Sequence, residues 1–309
     1  MSSDKLKGYL LAAMAAATYG TNPAFAVPLY AEGMNPGSVL IFRYGLSLLM
    51  LAVMAAARGR SLRLKRREAA PLAVLGVLMA ASSLCLFEAY GYMDSGVAST
   101  MLFVYPVMVA VLMVFFYHER FTATTGLCLL LMLAGLGLLM RSDANAEIST
   151  LGICMVMLSS LTYALYLVMI NVSRTVRGIP TLKLLFYVLL FGSCFFAFIL
   201  AAGTPFTMPP TRPGAWLNLL GVAFFPTVLS LLFTTRAIQL IGSTPTAIFG
   251  AFEPLTAVLL SVVVLHESLT PREMLGGVLI LCAATLVIAG DSFSAVLLRV
   301  RKMFPSLRK

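Results

Sequence analysis

Charged residues are scarce in this sequence. Only 11% of its 309 residues are charged, whereas 60% are hydrophobic, and the mean hydropathy is +0.96. This composition lies far outside the range of soluble globular domains. Hydrophobic runs of about 20 residues, the length that a helix needs to cross a hydrocarbon core of about 30 Å, recur along the chain. Because unpaired strands are too costly in lipid, the pattern predicts an α-helical membrane protein with many spans.

Motifs for metal, redox and hydrolytic chemistry are missing as well. The five cysteines fall one to a hydrophobic run and form no CxxC pair, which is typical of small packing residues rather than of a disulfide set or a metal site. The sequence contains no HExxH motif and no His at the middle of a run that could activate a serine. We therefore expect neither an enzyme nor a bound cofactor or metal.

Ten hydrophobic runs are long enough to be membrane spans. They lie at 7–30, 37–58, 70–93, 96–117, 122–140, 150–172, 181–203, 214–238, 243–265 and 270–290. The first run is too long and too interrupted by proline to be a cleaved signal peptide. The predicted fold is an all-α membrane protein with ten transmembrane helices.

Basic residues are distributed unevenly over the predicted loops. If the N-terminus is cytoplasmic, most of the 22 Lys and Arg residues lie inside, including the cluster "RGRSLRLKRR" at 58–67 and the tail at 291–309. Only Arg141, Arg212 and Arg272 fall in outer loops. This bias predicts that both termini are cytoplasmic, in the inner (plasma) membrane. The basic cluster is expected to lie on anionic lipid headgroups, not on nucleic acid.

The chain contains an internal repeat of five predicted helices. The segment "GYLLAAMAAATYG" at 8–20 aligns with "GICMVMLSSLTYA" at 152–164, and "YPVMVAVLMVFFYHER" at 105–120 aligns with "EPLTAVLLSVVVLHES" at 253–268. We predict one repeat at 7–140 and a second at 150–290. Because five is odd, the second repeat enters the membrane from the opposite side. Inverted repeats are typical of secondary transporters, although duplication for stability alone, or a channel, is also compatible with them.

The repeats resemble the two EamA repeats of the drug/metabolite transporter superfamily over residues 7 to 290. The matching motifs are Tyr19-Gly20-Thr21-Asn22, Phe42-Arg43, Pro106, His118-Glu119, Glu253-Pro254 and the loop "LHESLT". Two residues depart from the family's pattern: Tyr19 stands where Trp is usual, and Glu88 is not a general family feature. The resemblance implies a ten-helix transporter, often an exporter of amino acids or other small metabolites, and it does not identify a substrate.

Glu253 lies near the middle of the predicted ninth span. A carboxylate at the bilayer centre costs about 3 kcal/mol on insertion scales, so it must be paired, hydrated or protonated. Pro254 and Pro106 predict helix breaks at matching places in the repeats, but Tyr105 precedes Pro106 where Glu253 precedes Pro254. A charge that occurs in one repeat favours a substrate or proton site, and the alternative is a buried structural ion pair.

Two arginines also lie within spans. Arg43 and Glu88 fall at similar depths from the outer ends of the second and third spans, which favours an ion pair with a structural or gating role. The alternative is that Arg43 binds a substrate carboxylate. Arg236 lies near the cytoplasmic end of the eighth span, which favours snorkelling to the interface, with a role at the inner mouth as the alternative.

The first span carries polar residues beside a predicted break. Thr18 and Asn22 share a helix face with Tyr19 nearby, and Pro23 weakens the helix there. Such interrupted, polar helices form substrate sites in transporters, and Tyr163 is the repeat partner of Tyr19. The alternative is that Thr18 and Asn22 only hydrogen-bond neighbouring helices.

These patterns together predict a secondary transporter that works by alternating access. Its expected partners are a small-molecule substrate, membrane lipids and protons as a coupling ion, and the expected assembly is a monomer or a homodimer. Export of an amino acid or a related compound is the favoured function. Uptake of another small organic metabolite and passive conduction through a channel are the alternatives.

Overall fold

The computed structural model of the chain describes residues 3–89, 92–93, 98, 101–119, 121–139, 149–201, 203, 206–209, 211–256, 259 and 270–303. Parts of the predicted spans at 70–93, 96–117 and 243–265 lie outside these residues, as do His266 and Glu267. Throughout the described ranges the regular secondary structure is helical.

The helices follow the hydrophobic runs of the sequence. In the first half of the chain they are α1 (Ser3–Tyr19), α2 (Asn22–Ala31), α3 (Pro36–Ala57), α4 (Arg66–Ala89), α5 (Tyr105–Tyr117) and α6 (Ala123–Leu139). In the second half they are α7 (Thr150–Val172), α8 (Arg174–Arg177), α9 (Thr181–Ala201), α10 (Pro213–Ala223), a π-helical segment (Phe224–Leu229), α11 (Ser230–Ile241), α12 (Ser243–Phe249) and α13 (Pro271–Met303).

Five helical stretches are long and apolar enough to cross a membrane by themselves. They are α3, α4, α7, α9 and the continuous stretch Pro213–Ile241. The shorter apolar helices α5, α6 and Met274–Ala289 complete the set that the described residues provide. The structure therefore agrees with a multi-pass membrane protein. The predicted tail at 291–309 is helical as far as Met303, because α13 continues past the predicted span.

The surface and the interior of the bundle differ in the way that a lipid solvent requires. Phe115, Phe116 and Phe198 are between 71% and 74% exposed. Inside the bundle, small residues allow close helix contacts: a Cβ added at Gly135 would lie 2.7 Å from the carbonyl oxygen of Gly276, and the reverse distance is also 2.7 Å. Close packing of small residues drives helix association in lipid, where burial of apolar area contributes little.

Polar contacts tie the two halves of the chain together. Ser82 on α4 and Ser159 on α7 donate hydrogen bonds to each other's carbonyl oxygens, at 3.0 and 2.7 Å. At the predicted cytoplasmic end, the Lys183 ammonium lies 2.6 Å from the Glu68 carboxylate, and both side chains are buried. These contacts hold α4 between α7 and α9, at the junction of the halves.

Candidate functional site

The first span is interrupted between α1 and α2. α1 ends at Tyr19, and α2 begins with Asn22 and Pro23 after a two-residue turn. Proline suits the first turn of a helix, because its missing N–H would have no helical partner there. The Thr21 hydroxyl donates a hydrogen bond of 2.7 Å to the Thr18 carbonyl oxygen, which satisfies one of the acceptors that the break releases.

Two further breaks have the same form. α5 begins with Tyr105 and Pro106 directly after a two-residue turn. The chain also turns for two residues after α12, and the helix resumes over residues 252–256 with Pro254 in its first turn. In all three places the proline starts a second half-helix and the break immediately precedes it. The prolines therefore do not kink a continuous helix.

The predicted eighth span contains an irregularity of another kind. Residues Phe224–Leu229 form a π-helical segment around Pro226, between α10 and α11. Wider π turns leave carbonyl groups without regular helical partners and often occur at functional sites. The Thr227 hydroxyl donates to the Val222 carbonyl oxygen at 2.8 Å, which satisfies one of these groups.

Glycines bring the breaks into direct contact. A Cβ added at Gly20 would lie 2.5 Å from the backbone carbonyl oxygen of Glu253 and 2.9 Å from the Cβ of Thr256. The Tyr105 hydroxyl lies over Gly250, where an added Cβ would overlap it. The break in the first span and the start of α5 therefore both pack on the break that precedes Glu253.

A small cavity lies beside these breaks. Its volume is about 30 Å³, which is room for about two water molecules. It is lined by Ala12, Ala15, Ala16, Tyr19, Tyr105, Tyr163, Leu167, Ser230, Thr234, Thr246, Ala247, Gly250 and Glu253. The lining comes from both halves of the chain and contains one carboxylate.

The aromatic part of the lining is tightly arranged. The rings of Tyr105 and Tyr163 meet edge to face, with centroids 4.8 Å apart. The Tyr105 hydroxyl donates to the Ala247 carbonyl oxygen at 3.4 Å, which ties α5 to the end of α12. Edge-to-face pairs stabilise one another beyond the burial of their area. The tyrosines therefore form an aromatic wall of the cavity that Glu253 also lines.

Arg43 lies next to the cavity but is engaged by the protein. Only 4% of the residue is exposed. Its Nε donates to the Thr227 hydroxyl at 2.6 Å, one terminal nitrogen donates to the Pro226 carbonyl oxygen at 3.3 Å, and the other donates to the Asn22 side-chain oxygen at 3.4 Å. The guanidinium of α3 thus joins the start of α2 to the π-helical segment.

Tyr19 contacts the arginine and lines the same cavity as the carboxylate. The Arg43 guanidinium carbon lies 5.6 Å from the centroid of the Tyr19 ring, in cation–π geometry. Arg43 and Glu253 are close enough to attract each other electrostatically, yet no ion pair joins them among the described residues. The two residues therefore occupy one region of the molecule, with Tyr19 beside both.

The predicted site residues fall into two groups. Glu253, Tyr19, Tyr105 and Tyr163 line the cavity. The other predicted residues of this region lie beside the cavity or at its breaks: Arg43, Asn22, Pro23, Pro106 and Pro254. Thr18 differs from the predicted arrangement, because its hydroxyl bonds to the carbonyl oxygens of Met14 and Ala15 in its own helix.

Glu88 and Arg236 are not brought to the cavity. Glu88 is exposed at the end of α4, and the described part of the chain shows no ion pair between it and Arg43. The Arg43 hydrogen bonds go to α2 and to the π-helical segment, which accounts for this departure from the predicted pair. Arg236 is exposed and donates to the Gln239 side-chain oxygen at 2.9 Å.

Several residues of the site carried no signal that the sequence reasoning used. Ser230, Thr234 and Thr246 line the cavity, and Thr227 and Pro226 hold Arg43. Pro226 within an apolar run was the available signal for an irregular helix. Within the described ranges, no cluster of His, Cys, Asp and Glu could hold a metal ion.

Comparisons with known proteins agree with this architecture. The sequence profile of the EamA-like transporter family matches residues 6–141 and 150–289. An uncharacterized transporter of Archaeoglobus fulgidus is 29% identical over 210 residues, which are 68% of this chain and 72% of that protein. A protein of known crystal structure has the same fold, with a TM-score of 0.78 and 17% identity over 91% of this chain and 96% of that one. Since the family's profile covers both halves of the sequence, the chain belongs to the EamA-like transporter family.

Proposed function

We propose that this protein is a secondary transporter that exports an amino acid or a related small metabolite across the inner (plasma) membrane. The observation that carries the proposal is the cavity at which three helix breaks meet and whose described lining residues include one carboxylate, Glu253. Broken helices are tolerated in lipid only where they face protein or a water-filled cavity, and transporters use them to form substrate sites.

The proposed mechanism is alternating access of two inverted halves, residues 7–140 and 150–290. The hydrophobic runs predict ten spans, and the distribution of Lys and Arg predicts cytoplasmic termini. The cavity takes its lining from both halves, so a relative movement of the halves changes its volume and its access.

The cavity is small relative to the proposed cargo. Space for about two water molecules is too small for an amino acid, whose binding requires the helices around the breaks to separate. Glu253 then binds either a positively charged group of the cargo or a proton that is exchanged for it. Closing the site around an unpaired carboxylate is costly in lipid. Release of the cargo therefore favours binding of a proton to Glu253.

Counterflow in proteoliposomes tests the proposal. Vesicles that contain the purified protein and unlabelled amino acid or amine are diluted into a trace of the labelled compound, and each member of a panel is tried in turn. We expect saturable accumulation for at least one compound, and a decrease of about tenfold or more for Glu253→Gln, because a charged hydrogen-bond partner is lost. Glu32→Gln, an exposed carboxylate outside the cavity, is the matched control.

Two results would contradict the proposal. Non-saturable movement without counterflow would indicate a channel. Equal counterflow by wild type and Glu253→Gln would remove the carboxylate from the mechanism.

A further inference from the structure

The described lining of the cavity contains one acidic side chain and no basic one. Among the described lining residues Glu253 is the only Asp or Glu, and Lys, Arg and His are absent. The remaining polar groups are hydroxyls of Tyr, Ser and Thr, together with the backbone at Ala247 and Gly250. A group that enters this space meets one carboxyl group and several hydrogen-bond acceptors.

Arg43 is not among the described residues that line the cavity. Three of its five N–H groups donate hydrogen bonds to Thr227, Pro226 and Asn22, and its guanidinium carbon lies 5.6 Å from the centroid of the Tyr19 ring. A carboxylate of the cargo would have to approach a residue that is only 4% exposed and already engaged by the protein.

The space and the surfaces fit an ammonium group. A volume of about 30 Å³ holds a group of the size of one or two water molecules. Tyr19, Tyr105 and Tyr163 line the same cavity, and the faces of tyrosine rings attract cations. The Ser230 and Thr234 hydroxyls can accept hydrogen bonds from an N–H donor.

We propose that this site recognises its cargo by one cationic ammonium group, held by Glu253 between the tyrosines, and that it does not bind the carboxylate of the cargo. The inference rests on the proposed transport function and narrows its substrates to amine-bearing compounds. Amines without a carboxylate are then cargo or inhibitors as good as the corresponding amino acids. Arg43 acts as a positioning residue that keeps Tyr19 beside Glu253.

A matched pair of probes tests the sign of the recognised charge. Calorimetric titration of the purified wild-type protein in a neutral detergent uses n-butylammonium and butyrate, which have the same carbon chain and opposite charges. We expect butylammonium to bind at least about tenfold more tightly than butyrate, the factor that one charged hydrogen bond supplies. Butyrate binding of equal or greater strength would overturn the proposal, and this measurement does not depend on any variant.

Variants then locate the binding group. Glu253→Gln should weaken butylammonium binding by at least about tenfold, whereas Glu32→Gln should leave it unchanged. Size-exclusion profiles and melting temperatures show whether each variant is folded. If the wild-type protein bound butyrate and the Arg43→Gln variant did not, Arg43 would be an anion ligand and the proposal would be wrong.

The binding and counterflow experiments fail in different ways. Selective binding of butylammonium without counterflow of any compound would refute the transport function. The proposal that the site recognises an ammonium group would still hold. Counterflow of carboxylates that butylammonium does not inhibit would refute the recognised charge and leave the transport function intact.

Discussion

The breaks before Pro106 and before Pro254 have the same backbone form and different side chains. Both follow a two-residue turn, and both place proline in the first turn of the second half-helix. The residue before the proline is Tyr105 in one case and Glu253 in the other. The two side chains nevertheless line one cavity. The comparison teaches that the break provides space and free backbone groups, whereas the side chain next to it provides the chemistry.

The largest predicted difference in counterflow is between variants that change these two side chains and keep the prolines. Glu253→Gln keeps the shape of the carboxylate and removes its charge, and we expect counterflow to fall by about tenfold to a hundredfold, which corresponds to about 1.5–3 kcal/mol for a charged hydrogen bond. Tyr105→Phe keeps the ring and removes one hydroxyl, so a decrease of only about threefold is expected. Equal losses in the two variants would mean that charge is not the difference between the breaks.

The contact between the first span and the Glu253 backbone gives the next largest effect. Gly20→Ala places a Cβ against a backbone carbonyl oxygen that cannot rotate away. Overpacking of this kind costs about 1–3 kcal/mol, so the melting temperature and the counterflow rate should both decrease. Gly45→Ala is the control, because nothing lies within 4 Å of a Cβ at that helical position. If Gly20→Ala left the melting temperature and the counterflow rate unchanged, the breaks would not pack as described.

Arg43→Lys tests the role of the guanidinium fork. Lysine cannot reproduce three hydrogen bonds to Thr227, Pro226 and Asn22, so we expect the melting temperature to fall and the maximal counterflow rate to drop by about tenfold or less. The affinity for butylammonium should change less than the rate, because the cavity carboxylate remains. A loss of affinity with an unchanged rate would make Arg43 a ligand.

The smallest effect concerns the hydroxyl that lies over Gly250. Gly250→Ala places a Cβ where the Tyr105 hydroxyl lies, and we expect a loss of about threefold in counterflow, since the tip of a side chain can shift. Adding Tyr105→Phe removes the overlapping oxygen and should restore part of the loss. The rescue is partial because the Ala247 carbonyl oxygen would still lie 2.9 Å from the new Cβ. If the double variant were as impaired as the sum of the two single variants, the overlap would not be the cause.

The site could be predicted where it depends on local chemistry. Proline is favoured in the first turn of a helix, so the breaks at Pro23, Pro106 and Pro254 could be predicted from the sequence. A carboxylate in an apolar run must face protein or water, which identified Glu253. The alignment of the repeats indicated that Tyr19 and Tyr163 occupy related places.

The partners of Arg43 could not be predicted in this way. Arg43 and Thr227 are 184 residues apart in the sequence, and their contact depends on how α3 is rotated against the π-helical segment. Equal depth suggested Glu88 as its partner, but depth does not specify the direction in which a side chain points from its helix. In the structure Glu88 is exposed and Arg43 is buried.

Composition and spacing were sufficient to identify the solvent and the helical class, because both depend on what a short segment of chain requires of its surroundings, and the motifs carried the resemblance to the family. The packing of distant segments decided which charged group lines the cavity. Contacts with Thr227 and Pro226 bury Arg43, and the breaks from both halves leave Glu253 in the lining of a cavity, so both outcomes depend on residues that are far apart in the chain.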